Sequence, residues 1–358
     1  MKTKILSMCL TIAMATALVG CGQNASKDSA PAAATSESSS DSADAGGESG
    51  VTGEKRTLSL FAGSIPENTP TGVGLAAMAD YINENSNGTL EAQTFYDTAL
   101  GDATSMVQGL QQGTVDIGVA GTAYFSGLVP EIEVFQLPFL FSDLESARAA
   151  TAGPVAEEIN GMFEGVGIVG LSFWENGFRE LTNNVRPVKT PADMDGIKMR
   201  TLPADVQRAT WEAMGAMTAQ IDASELYTSL QQGTVNAQDN PLHEIVSRKF
   251  YEVQPYVTMT DATYTPLYMA MSKITWDSLS ESQQQLIVEA AAVGRQAQLD
   301  ATDAAQAEAL EVLKENGCEI IEDADKEAFK EKAMPTWALF TDGTEQGADL
   351  LEKIQSSM

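Results

Sequence analysis

Arg200 closes a short apolar run, residues 197–200, and is followed by Pro203, Asp205 and the helical spacing Val206, Ala209, Trp211, Met214. A charge at the end of a buried strand needs a partner, and a guanidinium offers a planar fork that fits a carboxylate through two parallel hydrogen bonds. Backbone amides at the start of the following helix would strengthen the same field, so strand, arginine and helix start together predict an anion site. A second arginine, Arg179, lies upstream within Gly177-Phe178-Arg179-Glu180-Leu181-Thr182-Asn183. It can face the same anion or pair with Glu175 or Glu180. Downstream, Asn240-Pro241 closes a predicted strand over 234–239, and Asn240 is also a natural helix cap before a proline.

Chemistry of other kinds lacks its residues. His243 is the one histidine in 358 residues, and there is no metal-ligand spacing, no glycine-rich phosphate loop and no nucleophile elbow. Carboxylates are abundant but fall on helical faces, where solvation explains them, so an enzyme is not expected and no cofactor is implied. A formal charge of -29 excludes any general attraction to nucleic acid. Against that background the few arginines of an anion site must be well placed and their ligand small. Of the three cysteines, Cys318 stands alone in the folded part and reads as a buried structural residue.

The elements that would hold these residues alternate between strand and helix, which predicts α/β lobes. Residues 57–61 read as a strand, 72–85 as a helix, 90–96 as a strand. An internal echo sharpens the reading. Asp102-Ala103-Thr104 leads to Leu110-Gln111-Gln112-Gly113-Thr114-Val115-Asp116, and Asp222-Ala223-Ser224 leads to Leu230-Gln231-Gln232-Gly233-Thr234-Val235-Asn236. Each copy predicts an aspartate cap, a helix of about ten residues, a glycine just past its end and a short strand. In the second copy Glu225 adds a capping-box pattern. Equivalent units in two similar lobes would turn the residues just past each strand towards one cleft: 118–121 and Tyr124 in the first lobe, 238–241 in the second. Residues 130–141 predict core packing over the first lobe, 143–164 a helix, and 165–174 a buried strand running out to the cleft, which places Trp174 among the ligand-binding candidates. From 278 to 316 helical periodicity is almost unbroken, as one long helix or two in series.

The chain opens with a basic Met1-Lys2-Thr3-Lys4 and an apolar stretch too short to span a bilayer, the pattern of a secretory signal. The stretch ends Leu18-Val19-Gly20-Cys21, which resembles the bacterial lipobox and implies cleavage before Cys21 and lipidation on it. Residues 22–55 are Ser, Ala, Asp, Gly and Glu with little apolar content, and predict a disordered spacer.

Four phrases in register, 177–183, 189–200, 225–242 and 249–260, resemble the substrate-binding proteins of tripartite ATP-independent periplasmic (TRAP) transporters. The resemblance implies a two-lobed α/β periplasmic-binding fold with a ligand cleft and a long helix spanning both lobes. It implies a first lobe of 56–176 plus 266–305, and a second lobe of 177–265 plus 306–358 that includes the C-terminal helices. By the same resemblance Arg200 would hold a ligand carboxylate, Arg179 would support it and Asn240 would hydrogen-bond a neighbouring oxygen. The implied function is an extracytoplasmic, monomeric solute receptor that delivers an organic acid or sugar acid to TRAP permease subunits and touches the membrane only through its lipid anchor. A solute-binding lipoprotein of an ABC importer is the alternative; it would share signal, tether and lobes but not the four phrases.

Overall fold

The structure, a computed structural model, describes residues 50–358. The signal segment and Cys21 lie outside the described residues. Among the described residues nine strands form one mixed sheet: β1 Arg56–Gly63, β2 Leu90–Asp97, β3 Ile117–Gly121, β4 Ile168–Asn183, β5 Lys198–Thr201, β6 Met217–Gln220, β7 Ala237–Asn240, β8 Tyr256–Ser272 and β9 Glu319–Ile321. Their order is β2-β1-β3-β8-β4-β7-β5-β6, with β9 beside β8. The fold is α/β and two-lobed, as expected. β4 and β8 are antiparallel and long enough to run through both lobes: 168–175 pairs with 266–272 in the first, and 177–183 with 256–265 in the second. Register shifts interrupt this ladder at Glu175/Gly177 and Arg179/Leu181. Gly177 there takes φ 118 and Asp261 φ 46. Such bulges bend a strand pair and re-aim side chains, here at the junction of the lobes.

Alternation along β1 explains how one strand serves two cores. Leu58, Leu60 and Ala62 pack with Met78, Ile82, Leu286 and Ile287 on one face, while Phe61 joins Met106, Leu110, Phe135 and Phe163 on the other. The second lobe is built around Leu181, Met199, Trp211 and Phe329, and around Leu226, Leu230, Ile245, Val257 and Leu313. A single helix, Glu281–Glu315, has its first half in the first-lobe core and its second half, through Ala309 and Leu313, in the second.

The echoed units form, but not identically. Gly113 and Gly233 both take φ 73. Asp102 accepts from Ser105 N at 2.7 Å and caps a ten-residue helix, Ala103–Gln112. In the second copy the expected helix divides into a 3-10 turn, Ala223–Glu225, and a helix, Leu226–Gln231. The capping box with Glu225 does not form there: Asp222 Oδ1 takes Ser224 N at 2.8 Å and, from the other lobe, Ser64 Oγ at 2.8 Å. Three further expectations need correction. The helix predicted over 143–164 is two, Leu144–Thr151 and Pro154–Glu164, because Pro154 has no N–H to continue the first. The spacer predicted to reach residue 55 is ordered before that: Thr52 N donates to Ser282 Oγ at 3.0 Å and Gln283 Nε2 to Glu54 O at 3.0 Å. The C-terminal segment, expected to finish the second lobe, packs Phe340, Leu350 and Ile354 into the first-lobe core. Only the helix Lys326–Ala333 stays with the second, through Phe329 and Ala333.

Candidate functional site

The lobes meet across a cleft in which the described residues leave about 470 Å³ of empty space. Three hydrogen bonds close it: Ser64 Oγ to Asp222 Oδ1 at 2.8 Å, Ala223 N to the Tyr124 hydroxyl at 3.1 Å, and Arg248 Nη2 to Ser64 O at 3.0 Å. Tyr124 stands just after β3, as the echo predicts, and lines the cavity. Burial pushes its hydroxyl up to about 12, against the pull of Arg200, so it stays protonated.

Arg200, Arg179 and Asn240 all line the same cavity. Each arrives on its own strand of the second lobe: β5, β4 and β7. Arg200 is 1% exposed, and its Nε donates to Ile221 O at 2.8 Å. Its Nη2 is buried without a hydrogen-bond partner. Burial, with the like charges of Arg179 and Arg248 nearby, lowers its pKa to about 10, still charged at neutral pH. Arg179 is equally buried but already paired: Nε to Asp239 Oδ2 at 2.8 Å, Nη2 to Asp239 O, and Nη1 towards Thr265 Oγ1 at 3.4 Å. Neither Glu175 nor Glu180 takes it. Glu175 accepts two bonds from Arg148 at 2.7 Å, and Glu180 accepts from the backbone of Thr260 and Asp261. Asn240 Nδ2 donates to Gln238 Oε1 at 2.5 Å.

Two expectations fail here. The helix after Arg200 begins at Asp205 and turns its first amides away from the cavity, because the buried Glu133 of the first lobe accepts from Val206 N at 3.1 Å. The anion field is therefore set by the guanidinium rather than by a helix end. Trp174 is 1% exposed and sits in the first-lobe core, wedged over the contact of Gly74 with Gly294, and does not line the cavity. The register shift at Gly170/Ser172 changes which face of β4 later residues occupy, and no pattern in the sequence announces it.

Two charged cavity residues escaped sequence reasoning altogether. Pro241 starts a short helix, Leu242–Ser247, that carries Glu244 into the cleft with Arg248 directly after it. Arg248 Nε donates to Glu244 Oε2 at 2.5 Å. Burial pushes Glu244 up, but Arg248, His243 and Arg179 together outweigh it and hold the carboxyl below its ordinary value. The signal was present as an acid and a base four apart behind a proline. Of three cavity arginines, Arg179 and Arg248 are thus ion-paired with Asp239 and Glu244, and Arg200 has no ion pair among the described residues. Among the described residues no group of His, Cys, Asp and Glu could hold a metal ion, and no helix is long and apolar enough to cross a membrane.

The family described as bacterial extracellular solute-binding protein, family 7, matches residues 61–343. The chain is 36% identical over 278 residues, 77% of its length and 84% of the other's, to the 2,3-diketo-L-gulonate-binding periplasmic protein of Escherichia coli. Among solved structures it resembles a TRAP periplasmic solute-binding protein from Polaromonas bound to D-erythronate, with TM-score 0.81 and 32% identity, covering 84% of this chain and 99% of that one. It also resembles the sugar acid binding protein of Advenella mimigardefordensis in complex with galactonate, with TM-score 0.81 and 30% identity, covering 86% and 100%.

Proposed function

The chain belongs to bacterial extracellular solute-binding protein family 7, and from that premise we propose that it is an extracytoplasmic receptor for a small carboxylate-bearing solute, an organic acid or sugar acid, which it delivers to a TRAP-type permease. The observation that carries this reading is Arg200: a buried guanidinium that lines the interlobe cavity and whose Nη2 has no hydrogen-bond partner. A ligand carboxylate supplies the missing charge and two acceptors in one plane. The relatives' named ligands, diketogulonate, erythronate and galactonate, all present one. Arg179, held rigid by Asp239, orients the ligand at the back of the cleft, and Asn240 and Tyr124 complete its polar wall. The reaction class is binding and release, not catalysis. An ABC importer receptor is disfavoured by the family.

At the N-terminus, residues 1–20 act as a signal peptide and Cys21 is lipidated, so the receptor works as a monomer tethered to the cell membrane. Metabolic lipid labelling tests the anchor: label that survives Cys21→Ala sinks it.

The test of the site is a thermal-shift screen across organic and sugar acids, followed by titration of the best ligand into wild type and Arg200→Ala. Loss of a charge-assisted pair in a water-poor cleft costs about 2–5 kcal/mol, or about 30-fold to several thousand-fold in affinity. A folded Arg200→Ala protein that binds its acid as tightly as wild type ends the carboxylate reading.

A further inference from the structure

Resting on the carboxylate reading of Arg200, we propose that Glu244 and Arg248 are the specificity element of the cleft: they read hydroxyl groups along the ligand's carbon chain, so that the site takes polyhydroxylated monocarboxylates and rejects dicarboxylates. Glu244 is 6% exposed and lines the cavity. Its Oε2 is occupied by Arg248 Nε, and among the described residues no other side-chain donor reaches the carboxylate. An ionised oxygen facing the cavity calls for a hydrogen-bond donor. A hydroxyl provides one; a second carboxylate has only acceptors. Arg248 is fixed in turn, with Nε on Glu244 and Nη2 on Ser64 O of the opposite lobe, which leaves Nη1 to donate to a hydroxyl oxygen. Acceptor and donor side by side match the donor and acceptor of neighbouring alcohols.

Charge leads to the same assignment. Asp239 ion-pairs with Arg179 and Glu244 with Arg248, so Arg200 is the one arginine lining the cavity without an ion pair among the described residues, and one ligand carboxylate supplies it. A dianion would bury one excess negative charge beside Glu244, the kind of repulsive element that builds discrimination against a competitor. Glu244 is held below its ordinary carboxylate value, so it is ionised and acts as acceptor at neutral pH.

The experiment is calorimetric titration of wild type and Glu244→Gln with two four-carbon acids, erythronate and succinate, and with galactonate. Glutamine keeps an oxygen for Arg248 but removes the charge. In wild type, succinate is expected to bind at least about tenfold more weakly than the better aldonate, the weight of one hydrogen bond to a charged group. In Glu244→Gln the cleft gains a net positive charge, so succinate tightens by about tenfold or more while the aldonates weaken. Unchanged or weaker succinate binding in Glu244→Gln overturns the proposal, including the case in which neither aldonate binds wild type. Circular dichroism and melting temperature establish that the variant is folded, and Glu244→Ala, which must lose the aldonates as well, provides a second reading. Arg200→Ala separates the two claims. If it leaves every acid bound, the carboxylate reading fails; if it abolishes binding while Glu244→Gln leaves the preference intact, only the specificity element fails.

Discussion

A guanidinium that is buried without a counter-charge is a cost to the folded protein, and Arg200 carries that cost to hold its ligand. Its folded pKa lies below the value of a free arginine, so folding disfavours the protonated form throughout the pH range below about 10. Replacing it with methionine, similar in length but uncharged, should raise the melting temperature of the ligand-free protein, by about 1–3 kcal/mol in stability, and abolish stabilisation by added acid. A lower melting temperature would mean that Arg200 is structural. Arg200→Lys keeps charge without the fork and is expected to lose most of the affinity. Glu180 titrates in the opposite sense. Burial, reinforced by the charge of Asp261, raises its pKa well above the ordinary 4.5, so the folded state holds a proton that the unfolded chain gives up. Its contribution to stability is complete below pH 4.5 and is lost as pH rises through the raised value. Glu180→Gln retains the oxygen for the Thr260 and Asp261 amides, so its melting temperature should fall less steeply with rising pH. Identical slopes would show that Glu180 does not set the pH dependence. At this scale the sequence was most legible where an arginine ended an apolar strand. It was silent on Asp239 as the partner of Arg179, because that pairing depends on β4 and β7 lying side by side.

Elements were legible in proportion to their regularity. Helix was expected over 278–316, as one or as two in series, and is found as one at Glu281–Glu315, because no proline or cap interrupts its alanine-rich periodicity. β4 and β8 were harder. Their bulges shift register without a compositional mark, which is how Trp174 was assigned to the cleft when it packs in the core. Where the helices Pro70–Asn85 and Glu281–Glu315 cross, a Cβ on Gly74 would lie 2.7 Å from Gly294 O, and one on Gly294 2.9 Å from Gly74 O. Helix propensity alone favours alanine over glycine by about 1 kcal/mol, but overpacking costs about 1–3 kcal/mol. Gly74→Ala and Gly294→Ala are therefore each expected to lower the melting temperature, and the double variant to cost less than their sum, since one displacement relieves both. A rise in either would show that the helices part freely.

For the whole molecule, two lobes joined by bent strands and spanned by a helix about 52 Å long predict closure as the functional motion. Closure buries Arg200, which opposes it; an acid bound to Arg200 removes that opposition and selects the closed state. Small-angle scattering should show a smaller radius of gyration at saturating ligand in wild type and no change in Arg200→Ala. Equal radii with and without bound ligand would contradict the motion. The two-lobed architecture was legible in the echo of Leu110-Gln111-Gln112-Gly113 by Leu230-Gln231-Gln232-Gly233. The destination of the C-terminal helices was not, since an amphipathic helix carries no address for the surface that will cover it.

That destination has a consequence in time. The first-lobe core contains Phe61 near one end of the described chain and Ile354 near the other, so it gains its last wall only when the final turns of helix arrive. A chain emerging residue by residue cannot finish one lobe and then begin the next, because loop closure must span nearly its whole length before the native contacts reward it. The first lobe therefore stays open until residues 340–354 have arrived, which is the condition in which a polypeptide can be threaded through a narrow passage before it sets.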